Sequence, residues 1–365
     1  MRPFILRLSR GALVALVLLL PLKFGTVLNV GEIAFFPVSG LEWVLTAWPP
    51  SLFPVFAGGL LLLAVVSGGE WPSGREWLGG WGVWLALLGG ALPGLIRTTE
   101  WDHALLFVWH LLGLFCLAAA AGILLRGAPR LRGGVLAAVA AGSLLAALSA
   151  WHQVVGGGYD EVLAFAERAA REQGTVVSEQ MRMRLTQGRA SGPFVYPNSL
   201  AAHLILTSPV VLLLLWRAGE RFRPPALSCA VLTLAGGLAL GGALLLSGSR
   251  AALVGLAGGV GLAAWLAPIG RRWRLAIAAA GLVFLTAALA VVNRGRTLSS
   301  LGARLEYNRA SVAMFLAHPA TGVGLGEFFP WYMRLKPPAA EETRLPHNAF
   351  LLFLGQAGIA GGLAA

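Results

Sequence analysis

The chain has 365 residues, 57% of them hydrophobic and 12% charged, with a mean hydropathy of +0.74 and a formal net charge of +12. Those values exclude a soluble globular domain and point to a polytopic membrane protein. The two cysteines, Cys116 and Cys229, lie inside apolar runs, where they act as small hydrophobes and not as a disulfide framework or a metal knuckle.

The basic N-terminus, Met1 to Arg10, precedes an apolar run with no small-residue cleavage site after it, which predicts a retained first span and not a signal peptide. Apolar runs of ~17–23 residues then recur, and they predict ten spans, near 11–28, 51–66, 77–96, 103–125, 133–155, 197–216, 226–247, 251–269, 275–292 and 347–365. With the N-terminus in the cytoplasm, the cytoplasmic segments carry thirteen basic residues against three acidic ones, Glu70, Glu76 and Glu220. The opposite side carries fifteen and thirteen. The positive-inside rule favours this orientation.

The expected fold is therefore all-α, a transmembrane helical bundle divided into five stretches. Spans one to five occupy 1–155, an exoplasmic loop with a surface helix 156–196, spans six to nine 197–292, a large exoplasmic catalytic loop 293–346, and the start of span ten 347–365. The surface helix is expected from Asp160 to Arg168, where acids and bases are mixed along a helical pattern. The tenth span runs to Ala365 without a basic stop, which suggests a truncated sequence.

Several chemistries are excluded by absence. Asp102 and Asp160 are the only aspartates, so no Asp-x-Asp pair holds a divalent metal, and no glycine-rich stretch ends in Lys-Ser or Lys-Thr to cradle a nucleotide. Gly322-Val323-Gly324-Leu325-Gly326 has two readings, a flexible turn after a helix ending near His318 and a backbone nest for phosphate. His110 and His203, within or near spans, are expected to be packed and hydrogen-bonded.

The positive signals are polar groups at span ends. His347-Asn348 stands at the mouth of the last apolar run, where an imidazole either marks the interface or moves a proton. Gly358 and Gly361 thin one side of the helix that follows, leaving room for another helix. Asn348 is expected to make a helix-start hydrogen bond. Arg189, followed by Pro197-Asn198, then Arg250 and Arg304 all fall at the outer face. Each alone fits a snorkelling arginine, whereas three near spans that pack together suggest an anion site, with a diphosphate as the natural ligand.

These blocks resemble the bacterial O-antigen ligase superfamily, which includes Wzy-type polysaccharide polymerases and protein O-oligosaccharyltransferases. The resemblance rests on His347-Asn348 with Gly358 and Gly361, on Arg189 through Pro197-Asn198, on Ser249-Arg250, and on Arg304 through Tyr307 with His318-Pro319 and Gly322-Val323-Gly324. It implies a GT-C-like membrane glycosyltransferase at the outer face of the inner membrane, most similar to the ligases that use lipid A-core as acceptor. The implied partners are an undecaprenyl-type polyprenyl-diphosphate glycan donor, a lipid or glycan acceptor and membrane lipids, with no nucleic acid, cofactor or metal. Arg189, Arg250 and Arg304 would hold the diphosphate and His347 would activate the acceptor, with Asn348, Asn198, Gly358 and Gly361 in support. A polymerase, a protein-modifying relative and a lipid-linked glycan transporter without chemistry are the alternatives. Transporters tend to place charged groups near the midplane, whereas these lie at span ends.

Overall fold

The computed structural model describes residues 2–24, 48–49, 51–68, 82–172, 174, 176–177, 182, 188–194, 196–268, 270–293, 299–338, 340, 343 and 345–365. Their secondary structure is helical, with no strand among the described residues. In chain order the helices are α1 (Arg2–Lys23), α2 (Leu52–Val66), α3 (Gly82–Ala91) running into a 3-10 turn (Leu92–Arg97), α4 (Trp101–Leu125) and α5 (Pro129–Val155). They continue with α6 (Gly158–Glu172), α7 (Pro197–Gly219), α8 (Pro225–Ser247), α9 (Arg250–Leu266), α10 (Arg271–Asn293), α11 (Ser299–Ala317), α12 (Phe328–Leu335) and α13 (Ala349–Ala364).

Six helices are long and apolar enough to cross a membrane: α1, α4, α5, α7, α8 and the Arg271–Ala290 part of α10. The chain is a multi-pass membrane protein. The other four expected spans fall on apolar helices where the sequence places them, but these have 10–17 residues, short of the ~20 that a straight crossing needs. Of the ten expected spans, six thus fall on helices long enough to cross and four on shorter apolar helices.

The residues form two compact units. The first comprises Met1–Leu13, Ser51–Ala128 and Thr297–Ala365. The second comprises Val14–Pro50 and Pro129–Arg296, so α1 contributes to both.

In the first unit α2 packs on α4 because Gly113 has no side chain: a Cβ there would stand 2.9 Å from the Phe53 ring and from Pro54. Trp109 Nε1 donates to the Ser51 carbonyl at 3.0 Å, tying the start of α2 to the same face. As expected, His110 is packed and bonded: its Nδ1 lies 2.8 Å from the Leu106 carbonyl and its ring stacks on Phe53. A second contact sets α3 against α13, with Ala91, Ala104, Leu111, Leu325, Phe353 and Ala357 at its centre.

In the second unit α5, α7 and α8 share a core of small and branched residues, including Ala146, Ala147, Ala150, Leu200, Leu204 and Ala243. Small side chains let helices approach in lipid, where close packing and not water exclusion drives association. Trp151 Nε1 reaches the Ala239 carbonyl at 3.0 Å. His203 pairs with Ser143 Oγ at 3.1 Å and lies against Phe194, also as expected. Cys229 is buried and free, its Sγ 3.3 Å from the Trp216 carbonyl.

The last apolar segment is not one straight helix. Gly358 takes φ 69 and ψ −157, so α13 breaks there. A Cβ on Gly361 would stand 2.6 Å from the Phe353 carbonyl and 2.7 Å from Ala357, so the part after the break folds close to the part before it. The neighbour that needs Gly358 is the Pro319–Ala320 turn, whose atoms would lie 2.6 Å from a Cβ, and Ile359 donates to the Pro319 carbonyl at 2.9 Å. The glycines therefore bend the segment around a turn of its own unit, in place of the helix-on-helix approach expected from their spacing.

An alanine at 358 would meet both the left-handed φ and the Pro319–Ala320 wall, an expected loss of about 1–3 kcal/mol. Gly59→Ala in α2, where nothing lies within 4 Å, is the control. Thermal unfolding in detergent should show a clear drop for Gly358→Ala and none for Gly59→Ala; equal midpoints would contradict the geometry.

Candidate active site

The second unit gathers Arg189, Asn198 and Arg250 around the α8–α9 link. Arg189 Nε donates to the Ser247 carbonyl at 2.9 Å and its Nη2 donates to Asn198 Oδ1 at 3.2 Å. Ser247 closes α8, Gly248 turns the chain with φ 60, and Arg250 opens α9 three residues after that carbonyl. Arg189 and Arg250 are both half-buried. The helix start of α9, at Arg250, adds partial positive charge, while at the start of α7 Pro197 has no N–H and Ser199 N and Leu200 N donate to the Tyr196 carbonyl, and the carbonyl of Ser247 is taken by Arg189. Two guanidinium groups and the α9 N-terminus bring positive charge to this end of the unit.

The loop that delivers Arg189 is held from inside the bundle. Gln153, only 8% exposed near the end of α5, accepts from Ser191 N at 3.0 Å and Gly192 N at 2.7 Å through Oε1, and donates through Nε2 to the Gly192 carbonyl at 2.9 Å. One amide thus satisfies three backbone groups that would otherwise be stranded. Ala190 N bonds the Leu246 carbonyl at 3.0 Å. Tyr159, in the amphipathic helix α6, donates its hydroxyl to the Arg189 carbonyl. That helix covers the expected 160–168 stretch; parts of 173–195 lie outside the described residues.

The first unit holds Arg304 and His347. Asn348 caps α13, its Oδ1 accepting from Leu351 N at 3.1 Å, which is the helix-start bond expected of it. His347 stands just before the cap with φ 54, a left-handed backbone uncommon for a residue with a side chain. Its ring lies 6.1 Å from that of Tyr307, and Tyr307 in turn meets Tyr332 edge-on at 5.5 Å. Tyr307 and Tyr332 are buried, and Phe328 stacks on Tyr332, so His347 rests on a rigid aromatic floor. Arg304 precedes Tyr307 by three residues on α11, which puts it one turn away on the same helix face, exposed. Of the arginines expected in the large loop, Arg294 and Arg296 lie outside the described residues.

The Gly322–Gly326 stretch is no phosphate nest. Each N–H from 322 to 327 is already taken by the protein, by the carbonyls of His318, Gly355, Gln356, Gly94 and Gly324, by Thr98 Oγ1 and by Gln356 Oε1. A nest needs N–H groups free to face an anion. Nor is it a flexible turn, since it is fixed between α13 and the 3-10 turn. Glu327 completes the clamp: Oε1 of this buried carboxylate accepts from Thr99 N at 2.5 Å, Thr99 Oγ1 at 2.7 Å and Glu100 N at 2.7 Å. These bonds lock the start of α4 to the start of α12.

Among the described residues no three His, Cys, Asp or Glu side chains form a group that could hold a metal ion.

Residues 235–365 match the family model described as O-antigen ligase. This match, over the C-terminal part of the chain, agrees with the resemblance carried by the motifs. The O-antigen ligase match takes in Arg250, Arg304, His347, Asn348, Gly358 and Gly361; Arg189 and Asn198 precede it. No curated protein and no solved structure matches the chain.

Burial pushes the Tyr159 phenol from its ordinary 10.0 up to about 12, against an opposing pull from the Arg189 charge. A raised value means that the folded state holds the proton more tightly. The stabilisation is therefore complete below about pH 10 and is lost as pH rises towards 12. In a phenolate absorbance titration of the four tyrosines, the signal that Tyr159→Phe removes should ionise near pH 12. Its appearance near pH 10 would contradict the buried hydroxyl bond.

Proposed function

We propose that the chain transfers a glycan from a polyprenyl-diphosphate donor to an acceptor hydroxyl, as an O-antigen ligase acting on lipid A-core. The observation that carries this reading is His347, held in a left-handed backbone on the Tyr307 ring one helical turn from Arg304, inside the stretch that matches O-antigen ligase. A strained polar residue over-determined by its surroundings is a recurrent mark of a functional site.

In the proposed reaction Arg189, Arg250 and Arg304 bind the diphosphate. A guanidinium offers paired donors that fit phosphate oxygens, and its charge stabilises the negative charge that grows on the leaving group. The imidazole of His347 accepts the proton of the acceptor hydroxyl as its oxygen attacks the anomeric carbon. The new C–O bond forms as the bond to the diphosphate breaks, the electron pair leaves with the diphosphate, and configuration at the carbon inverts. Guanidinium groups supply the charge stabilisation that a cation would otherwise give, so the reaction is metal-independent. The thirteen-to-three excess of basic over acidic residues on the other face supports placing this chemistry on the periplasmic side of the inner membrane.

The test is a single-turnover transfer assay on reconstituted protein in a strong chelator, with donor binding measured in parallel. His347→Ala should insert and bind the lipid-linked donor yet lose about 10²–10⁴-fold in transfer, and His347→Gln should fail equally. Near-normal turnover by either variant would remove His347 from the mechanism. Loss of wild-type transfer in chelator, restored by magnesium or manganese, would contradict the metal-free reaction.

A further inference from the structure

In the second unit the chain runs up and down. α7 leaves from Pro197-Asn198 beside Arg189, α8 returns to Ser247, α9 leaves again at Arg250 and α10 returns, with Ala201, Leu244, Leu253 and Ala288 packed together near the Arg189 end. The α7–α8 link and the α9–α10 link therefore both lie at the opposite end of the unit, one helix length or roughly 25–35 Å away.

Both links are basic. Arg217, Arg221 and Arg223 belong to the first and Arg271, Arg272 and Arg274 to the second, against one acid, Glu220. Among the described residues none of these six arginines forms an ion pair, and all but Arg274 are exposed. Like charges gathered in such excess repel one another, so this end of the unit favours an anionic partner.

The aromatic residues indicate what kind. Trp216 and Phe222 stand exposed at the first link, and Trp265 and Trp273 at the second. Arg272 lies over the Trp273 ring, 5.9 Å from its centre, and Arg274 lies over the Trp265 ring at 5.9 Å. Arg274 Nη2 also donates to the Ala267 carbonyl at 3.0 Å, which ties it to the close of α9. An indole settles at the headgroup level of a bilayer, with its ring in the apolar part and its N–H wet. A guanidinium held on that ring stands at the depth of the lipid phosphates. Leu266, exposed beside them, is apolar surface that a lipid covers and a water-borne anion does not.

We infer that this end of the second unit is a docking surface for acidic phospholipids, whose headgroup phosphates the arginines of the two links bind while the aromatic rings beside them enter the interface. Clusters of basic residues just outside spanning helices bind acidic lipid in this way, each adding about fivefold to the affinity.

The test is thermal unfolding of the purified full-length protein in neutral detergent at low salt. It is titrated with short-chain phosphatidylglycerol, with phosphatidylcholine of the same chain length, and with inorganic phosphate. Wild type is compared with Arg221→Gln/Arg223→Gln, with Arg271→Gln/Arg272→Gln, and with Arg171→Gln/Arg309→Gln, which removes the same charge from exposed arginines outside the links. Phosphatidylglycerol should raise the Tm of wild type and of the Arg171/Arg309 control saturably, and less so at high salt. Half-saturation should need about thirtyfold more lipid in each link variant. Where a link variant unfolds too early to titrate, lipids counted on the protein by native mass spectrometry give the same comparison. Wild-type half-saturation in either link variant overturns the surface, as does a control weakened as much as they are. So does a wild type that ignores phosphatidylglycerol, or that responds equally to phosphatidylcholine or to inorganic phosphate.

Discussion

Backbone that is not helical can enter an apolar bundle only when its N–H and C=O groups find partners within the protein, because lipid offers none. Two buried glutamines meet that demand here. Gln153 bonds three backbone groups of Ser191 and Gly192, and Gln356 bonds Gly326 through its side chain and Gly324 through its carbonyl. Each fixes the approach to part of the candidate site: the first holds the loop of Arg189 at the α8–α9 link, and the second holds the turn that leads into α12 and the aromatic floor under His347. Replacing either by an apolar residue would strand backbone donors, at about 1–3 kcal/mol apiece.

The electrostatics of the two ends follow from the helix termini that these loops arrange. In the second unit Arg189 occupies the Ser247 carbonyl at the close of α8, beside the start of α9 at Arg250. In the first, a buried carboxylate sits close to the site without facing it, since Glu327 spends its Oε1 on Thr99 and Glu100. Arg304 is exposed on α11, one turn from Tyr307, whose ring lies beside that of His347.

Much of this was legible in the residues. Apolar runs located the apolar helices among the described residues, since composition decides which segments leave water. Asn348 announced its cap by its place before an apolar run, and His110, His203 and Cys229 are packed as lone polar groups in spans should be. The length of the helices was less legible: α2 and α9 are short because the chain turns after them, and α13 is bent because Gly358 sits against Pro319–Ala320. The clamps were hidden for a different reason. Gln153 meets Gly192 across 39 residues and Glu327 meets Thr99 across 228, and no local period reports such a pairing. A lone amide inside an apolar run was the available signal, and Gln153 and Gln356 both carry it. The same distance effect left Gly322–Gly326 open to two readings, a flexible turn and a nest, because its hydrogen-bond partners lie outside the motif.

The central claim is that guanidinium groups grip a lipid-linked diphosphate at the ends of these helices. Equilibrium binding of polyprenyl diphosphate to reconstituted wild type, Arg189→Lys, Arg250→Lys and Arg304→Lys tests it most directly. Lysine keeps the charge and loses the fork, so each variant should bind about tenfold or more weakly, with folding unchanged. Binding by all three lysine variants at wild-type affinity would contradict the account.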